Sequence, residues 1–356
     1  MTQRPSKNDA EFRLRLFRMM QRIRRCQEIL MEEYHPADEM RCPMHFCIGQ
    51  EATPTALSEL LRPTDIMYTH HRSHGYYMAR NAPLTDMIAE FYGKESGASG
   101  GLAGSQELSH SDYNFYSGAI LSGSFVLAVG SAFALAYDES DAIAIGVLGD
   151  GGMEEGVVFE SLNLAAVKNL PVLFICENNG YSIQSPLKMR SRAVVISERV
   201  KAFDVKASSV DGNDVFAVYE KLSKIISDIR TNPAPYFLEI MTYRTCAHVG
   251  PEDDDHYGYR PDAEVQEWLK RDPLIPLKKA LKADGVGVQT LDKITAEIDA
   301  DIWAAINTAK EAPFPDFNAT LACNLSDDYS PVVTQLIEGP VGDFDPTQQE
   351  AMPGPF

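Results

Sequence analysis

The sequence predicts an α/β fold, in which a mostly parallel sheet is flanked by helices on both faces. Three largely apolar segments carry this prediction, at residues 142–148, 171–176 and 236–241, the last of which includes Glu239. The continuous apolar run at 142–148 is typical of a strand covered on both faces. Helical patterns separate the runs, and strand, helix and strand in succession predict parallel pairing through right-handed crossovers.

The helices follow from the spacing of their apolar residues. The chain opens on an amphipathic segment in which Leu16, Met20, Ile23 and Leu30 recur at roughly helical spacing. Further helices are predicted at 49–61, which Arg62-Pro63 ends, and at 154–168 and 216–229. Four isoleucines spaced by four residues predict a late amphipathic helix: Ile294, Ile298, Ile302 and Ile306.

We predict different structures for two segments that are rich in small residues. Residues 122–136 are small and apolar, which predicts a tightly packed, buried helix. The second segment has glycine at positions 93, 97, 100, 101 and 104. Such a segment is usually a flexible surface loop, although in an enzyme it can also become ordered over a ligand.

The length of 356 residues allows one large domain or two ordinary ones. We predict a single domain over residues 1–325, with a helical lead-in at its N-terminus. Residues 326–356 are rich in Asp, Pro and Gly and are predicted to form an extended tail.

The charge of the chain argues against nucleic acid and membrane surfaces as partners. Lys and Arg total 32 and Asp and Glu total 51, a net charge of −19. One basic cluster of six arginines lies between Arg13 and Arg25, and we interpret it as the solvated or partner-facing side of the first helix. The apolar runs are too short to cross a bilayer, and the N-terminus lacks the apolar stretch of a signal peptide. The six cysteines include no CxxC pair, so we expect reduced thiols and a cytoplasmic protein.

The most informative motif is Gly149-Asp150-Gly151-Gly152, directly after the first buried strand. Glycines there let backbone N–H groups approach a phosphate, and the following helix presents its N-terminus to the negative charge. The next strand ends in Asn178-Asn179-Gly180-Tyr181. Parallel neighbours bring both strand ends to one sheet edge, where ligands bind in open α/β sheets.

Asp150 and Asn179 can therefore converge, although they are far apart in sequence. A carboxylate, an amide oxygen and a backbone carbonyl are hard oxygen ligands that suit magnesium, with phosphate oxygens completing the shell. Either motif alone is a common turn. The two together, each at the end of a buried strand, predict a magnesium diphosphate site.

These motifs resemble those of thiamine diphosphate enzymes, and five segments resemble the alpha subunit of the 2-oxo acid dehydrogenases that act on pyruvate, branched-chain 2-oxo acids or acetoin. The segments are 45–51, 114–116, 149–156, 176–181 and 210–214. The resemblance spans about residues 12–320. It implies a thiamine diphosphate-binding fold and decarboxylation of a 2-oxo acid, or cleavage of an acyloin, with transfer of the fragment to an acceptor.

The resemblance also implies roles for individual residues. Magnesium would be held by Asp150, by the side chain of Asn179 and by the carbonyl of Tyr181. The diphosphate would lie against Gly149, Gly151 and Gly152, and against His71 and Arg72, where the family has a Tyr-Arg pair. Leu121 would be the bulky residue that bends the cofactor. His248 would contact the cofactor and act in catalysis.

The family pattern implies partners as well. The glutamate that protonates the aminopyrimidine ring comes from a separate beta subunit, so we expect an alpha2-beta2 heterotetramer acting on a small-molecule substrate. A lipoyl-bearing acyltransferase is a further candidate partner. Departures from the family at His71, Cys246-Ala247 and Gln106-Glu107 leave two alternatives open. These are a carboligase of a specialised pathway and a non-catalytic, alpha-like partner.

Overall fold

The computed structural model describes residues 9–37, 39–40 and 42–316. The chain divides into two units after Phe314, and the sheet and its helices belong to the first unit. The predicted tail at 326–356 lies outside the described residues, so a single domain over 1–325 stays a prediction.

A seven-stranded sheet forms the centre of the unit, and a separate two-stranded hairpin accompanies it. The strands are β1 (Ile66–His70), β2 (Ser109–His110), β3 (Phe115–Gly118), β4 (Ala144–Gly149), β5 (Val172–Asn178), β6 (Tyr181–Ser182), β7 (Ser185–Pro186), β8 (Lys206–Asp211) and β9 (Tyr236–Met241). The order in the sheet is β2-β3-β1-β4-β5-β9-β8, and β6 and β7 form the antiparallel hairpin. Among the described strands of this sheet, only β2 is antiparallel to its neighbour, which confirms the predicted mostly parallel sheet.

Helices cover both faces of this sheet, and each predicted helix is present. They are α1 (Ala10–Ala37), α2 (Ala52–Ser58), α3 (His74–Ala79), α4 (Leu84–Phe91), α5 (Gly123–Tyr137), α6 (Gly156–Lys168), α7 (Leu187–Arg190), α8 (Ile196–Val200), α9 (Val215–Thr231), α10 (Asp262–Leu269), α11 (Leu274–Ala283) and α12 (Val288–Glu311). None of the described helices is both long enough and apolar enough to cross a membrane.

Alternate residues of β4 enter two different cores, which explains its continuous apolar sequence. Ile145 and Val147 pack in the core that also contains α1, α9 and α12. Ala144 and Leu148 pack in the core formed with α5 and α6. On that second face Gly146 is required, because a Cβ there would come within 3.2 Å of α5 atoms.

The prediction of a buried helix at 122–136 is wrong for one of its faces. Phe125, Ala128 and Ala132 of α5 are buried against the sheet. The opposite face is exposed and apolar, with Val126, Leu127, Phe133 and Tyr137 at 42%, 55%, 48% and 83% exposure. Small residues at 122–136 thus allow close packing on the sheet side, while large ones cover the outer side.

Five of the six arginines in the basic cluster of α1 bind carboxylates of the same chain. These ion pairs connect α1 to the ends of α2 and α11, to α12 and to the segment before α11, and each exposed pair contributes modestly to stability. The pairs are Arg13 with Asp284, Arg15 with Glu59, Arg18 with Glu297, Arg24 with Glu51 and Asp272, and Arg25 with Asp299.

The glycine-rich segment is held in place by one buried carboxylate, which corrects the prediction of a flexible loop. Glu90 of α4 accepts backbone hydrogen bonds from Ser99 and Gly101 at one oxygen, both at 2.8 Å. Its other oxygen accepts from Ala103 and Gly104, at 2.7 and 2.9 Å. The loop is therefore ordered by contacts with its own chain.

Candidate active site

A cavity of about 290 Å³ opens at the carboxyl ends of the central strands. The chain passes from β1 to β3 on one side and then to β4 on the other, and this reversal of direction creates a crevice. Every residue predicted for the site lines this cavity: His71, Arg72, Leu121, Gly149, Asp150, Gly151, Gly152, Asn179, Tyr181 and His248.

Asp150 and Asn179 lie on the same wall, at the ends of the paired strands β4 and β5. The Asn179 side-chain oxygen accepts from the backbone N–H of Tyr181 at 3.1 Å, and its amide donates to Gln50 Oε1 at 3.2 Å. These bonds hold the amide in place. We call the part of the cavity that Asp150 and Asn179 line the oxygen-rich corner.

Arg190 of α7 binds the Asp150 carboxylate, a contact that the sequence did not reveal. Arg190 also binds Glu154 Oε1 at 2.5 Å and the carbonyl of Ser185 at 3.0 Å. Burial raises the pKa of Asp150, which is 1% exposed, and the Arg190 guanidinium opposes that rise. The charge of Asp150 is therefore neutralised by a side chain of the same protein.

Gly151 and Gly152 are needed because other parts of the chain pack directly against them. A Cβ at position 151 would lie 2.5 Å from Ser182 Oγ in the β6–β7 hairpin. A Cβ at position 152 would lie 3.1 Å from Ser122 Oγ, which donates to the Gly152 carbonyl at 2.7 Å. The floor of the cavity is therefore bare backbone, as a phosphate cradle requires.

Arg72 braces two loops as well as lining the cavity. One of its terminal nitrogens donates to the carbonyl of Phe46, and the other donates to the carbonyl of His248 at 3.2 Å. Burial and the nearby Arg244 guanidinium lower the pKa of Arg72 to about 10, so it stays charged at neutral pH. The charged Arg72 side chain therefore connects the loop that contains Phe46 to the loop that contains His248.

Three imidazoles meet beside Arg72, and we call His45, His71 and His248 the histidine cluster. The ring centroids are 4.4 Å apart for His45 and His71, 4.9 Å for His45 and His248, and 5.4 Å for His71 and His248. Burial lowers the pKa of His45 to about 2 and that of His248 to about 4, and it strongly lowers the pKa of His71. All three rings are therefore neutral at pH 7.

Glu177, the penultimate residue of β5, is a buried carboxylate in the cavity wall that was not predicted from the sequence. Its Oε2 accepts from Gln50 at 3.2 Å and lies 3.1 Å from His70 Nε2. The other His70 nitrogen accepts from the backbone N–H of Arg72 at 3.0 Å, so Nε2 carries the proton. The sequence did contain a signal for this residue, because Glu177 is a carboxylate that directly follows the apolar residues of β5.

Leu121 lies at the mouth of the cavity, in the turn between β3 and α5. It is about half exposed, and its neighbour Ile120 is still more exposed. Both side chains are apolar and border the cavity just before α5 begins. The site thus has a polar floor and an apolar rim.

The chain is similar over most of its length to known proteins. The family model described as dehydrogenase E1 component matches residues 18–318. The alpha subunit of acetoin:2,6-dichlorophenolindophenol oxidoreductase from Bacillus subtilis is 32% identical over 76% of this chain and 81% of the relative. The pyruvate dehydrogenase E1 component subunit alpha of Zymomonas mobilis is 33% identical over 86% of each chain. The somatic, mitochondrial form from Homo sapiens is 32% identical over 85% of this chain and 76% of the relative.

Proposed function

The chain belongs to the dehydrogenase E1 component family, and from this premise we propose that it is the alpha subunit of a thiamine diphosphate-dependent enzyme that decarboxylates a 2-oxo acid or cleaves an acyloin. The fragment then passes to an acceptor. One observation carries the proposal: Asp150 and Asn179, from two strand ends, line one cavity whose floor is Gly151 and Gly152.

The donor set of this cavity fits the cofactor and a magnesium ion. Asp150, the Asn179 side chain and the carbonyl of Tyr181 would hold the cation, since magnesium prefers oxygen ligands. Gly149, Gly151 and Gly152 would face the diphosphate, and His71 and Arg72, which line the same cavity, would also contact it. Leu121 would hold the cofactor in its bent shape. When bound, thiamine diphosphate would supply the nucleophilic carbon and the electron sink that cleavage next to a carbonyl requires.

We propose that the residues of this chain position the cofactor and the substrate. His248 is the proposed catalytic residue, since its ring borders the cavity and, being neutral at pH 7, can donate a hydrogen bond from one nitrogen and accept one at the other. Its backbone carbonyl is held by Arg72, which fixes the loop that carries it. Glu177 already binds His70 and Gln50, so we propose that the glutamate serving the aminopyrimidine ring comes from a beta subunit.

The apolar outer face of α5 supports this partner. Val126, Leu127, Phe133 and Tyr137 are exposed apolar residues of α5, and Leu121 at the cavity mouth lies two residues before this helix. Contiguous apolar patches on a protein surface usually mark an interface. We propose that the beta subunit covers this face, so that the cofactor lies between the subunits of an alpha2-beta2 heterotetramer. A lipoyl-bearing acyltransferase is a further proposed partner.

A carboligase is a second candidate, and a specific observation favours it. His71 and Gln106, two of the departures from the family pattern, line the cavity where substrate and acceptor must fit. Carbon dioxide release from a panel of 2-oxo acids, measured with and without a lipoyl domain, separates the two functions. A non-catalytic role is less well supported, since Asp150, Arg72 and His248 all line the site.

The cofactor assignment is tested by changing Asp150 to Ala. We expect the affinity for thiamine diphosphate with magnesium to fall by about 100-fold or more, because the cation loses its charged ligand. Calorimetry on the full chain with its beta partner present measures this. Asp211→Ala is the control, since Asp211 is an exposed carboxylate at the carboxyl end of β8. Unchanged affinity in the Asp150 variant would refute the assignment.

A further inference from the structure

The histidine cluster brings together three nitrogen ligands that the oxygen-rich corner does not use. The ligand atoms of His45, His71 and His248 all lie within 4.8 Å of one another. The three residues come from separate segments: the loop before α2, the turn after β1 and the loop after β9. The fold, and not a local sequence motif, therefore assembles them.

We propose that the histidine cluster is a second metal site, which binds a divalent transition-metal ion such as Zn²⁺ or Co²⁺ and leaves one coordination position open to the cavity. Imidazole nitrogens favour such ions, whereas the carboxylate and carbonyl oxygens around Asp150 favour magnesium. Three histidines with an open fourth position are also a known ligand set for zinc that binds water or substrate. The two corners of one cavity thus select different cations.

The geometry allows coordination after small side-chain movements. A zinc–nitrogen distance of about 2.0–2.1 Å places two ligands of a tetrahedral ion about 3.3 Å apart. From separations of up to 4.8 Å, the rings must therefore close by at most about 1.5 Å. The Gln106 amide nitrogen lies 3.3 Å from His45 Nδ1. If His45 binds the ion through Nε2, the Gln106 amide must turn so that its oxygen accepts from Nδ1–H, which is the arrangement found around metal-bound histidines.

The protonation state and the surrounding charges also decide whether a cation can enter. Burial keeps the three rings neutral, so no proton has to be released when a metal binds. Arg72 beside the cluster opposes a cation, and the Asp150 carboxylate is already paired with Arg190, whereas Glu177 is a buried carboxylate in the same cavity. Because Arg72 attracts an anion, we expect the bound ion to carry an anionic fourth ligand, such as hydroxide or a carboxylate.

The second metal site goes beyond the proposed function and does not depend on it. If thiamine diphosphate also contacts His71 and His248, the transition metal and the cofactor exclude each other. A site of this kind would make the apo chain sensitive to zinc.

The test is a titration of the metal-free, full-length chain with Co²⁺, which gives intense visible absorption when four-coordinate. We expect absorption that Zn²⁺ abolishes. His71→Phe should lower the Co²⁺ affinity by about 100-fold or more, and His248→Phe should have the same effect. If one of these variants fails to fold, the other still tests the site. His110→Phe is the matched control, because His110 is a half-buried histidine outside the cavity that lies next to Asp86.

Asp150→Asn distinguishes the two corners and should leave the Co²⁺ absorption intact. The proposal is overturned if the chain shows no absorption, if the absorption survives both cluster variants, or if Asp150→Asn removes it. Addition of thiamine diphosphate with magnesium should bleach the signal. A Co²⁺ signal that the cofactor leaves unchanged would keep the metal site and count against the placement of the cofactor.

Discussion

Asp150 is the residue on which the site depends, and Arg190 determines its charge balance. A carboxylate that is 1% exposed is costly unless it is paired. In the structure Arg190 supplies the pairing charge and is itself held by Glu154. A divalent cation that binds Asp150 must displace this guanidinium or share the carboxylate with it.

Arg190→Gln should therefore strengthen cation binding. We expect the affinity for Mn²⁺, used as a spectroscopic substitute for magnesium, to rise about tenfold, since a nearby positive charge disfavours a second one. Electron paramagnetic resonance of free Mn²⁺ measures this without catalysis. Arg192→Gln changes an exposed arginine two residues away and should have no effect. Equal or weaker binding in the Arg190 variant would show that the arginine does not compete.

At the scale of an element, the glycine-rich loop is organised by Glu90. Four backbone N–H groups converge on its two carboxylate oxygens, and such charge-assisted bonds are among the stronger ones in proteins. Gly101 adds a steric requirement, with φ at +75° and a hypothetical Cβ 2.5 Å from the carbonyl of Lys94. The loop conformation thus needs both the carboxylate and the glycine.

Glu90→Gln should loosen this loop, because the amide nitrogen that replaces one oxygen cannot accept the two N–H groups there. We expect a loss of about 2–3 kcal/mol in the free energy of unfolding and faster amide exchange over residues 97–104. Urea unfolding and hydrogen exchange measure the two effects. Glu95→Gln, at an exposed position in the same segment, serves as the control. Unchanged exchange in the loop would contradict the assigned role of Glu90.

At the scale of the whole molecule, the exposed apolar face of α5 is the surface that we propose the beta subunit covers. Phe133→Glu places a charge in the middle of the apolar face and should abolish co-purification with the beta subunit. Ile275→Glu is a matched control, since Ile275 is 51% exposed, close to the 48% of Phe133, and lies on α11. A complex that survives the Phe133 change would place the interface elsewhere.

Buried histidines should make the stability of the whole molecule depend on pH. Burial lowers the pKa of His45, His74 and His248 from 6.5 to about 2, 3 and 4. Since the unfolded chain binds protons that the folded chain cannot, this stability is complete above pH 6.5 and is lost as the pH falls toward the folded pKa values. We expect a loss of about 1.4 kcal/mol per pH unit for each of these histidines below pH 6.5.

Urea unfolding between pH 7 and pH 5 measures this slope. His74 is fully buried between Gln27 and Ser105, so His74→Asn should reduce the slope by about one proton. His256→Asn changes an exposed histidine and should leave the slope as it is. A slope that is the same in both variants would mean that His74 is not the titrating group.

The sequence alone determined the central strands and the residues that follow them. The sequences of β4, β5 and β9 are mostly apolar because both faces of each strand are buried, so their burial can be predicted from the sequence. The motifs at 149–152 and 178–181 could be placed at the ends of β4 and β5, since parallel pairing brings the ends of neighbouring strands to one edge of the sheet. The strands β1, β3 and β8 were not predicted, because polar residues interrupt their patterns.

Only the tertiary structure decided which distant groups meet. Arg190 reaches Asp150 across 40 residues, and the histidine cluster joins segments up to about 200 residues apart. The exposed face of α5 was hidden in the same way, since an apolar helix has the same sequence whether its outer face is covered by its own chain or by a partner. Local patterns record the burial of one element, whereas contacts between loops depend on the path of the whole chain.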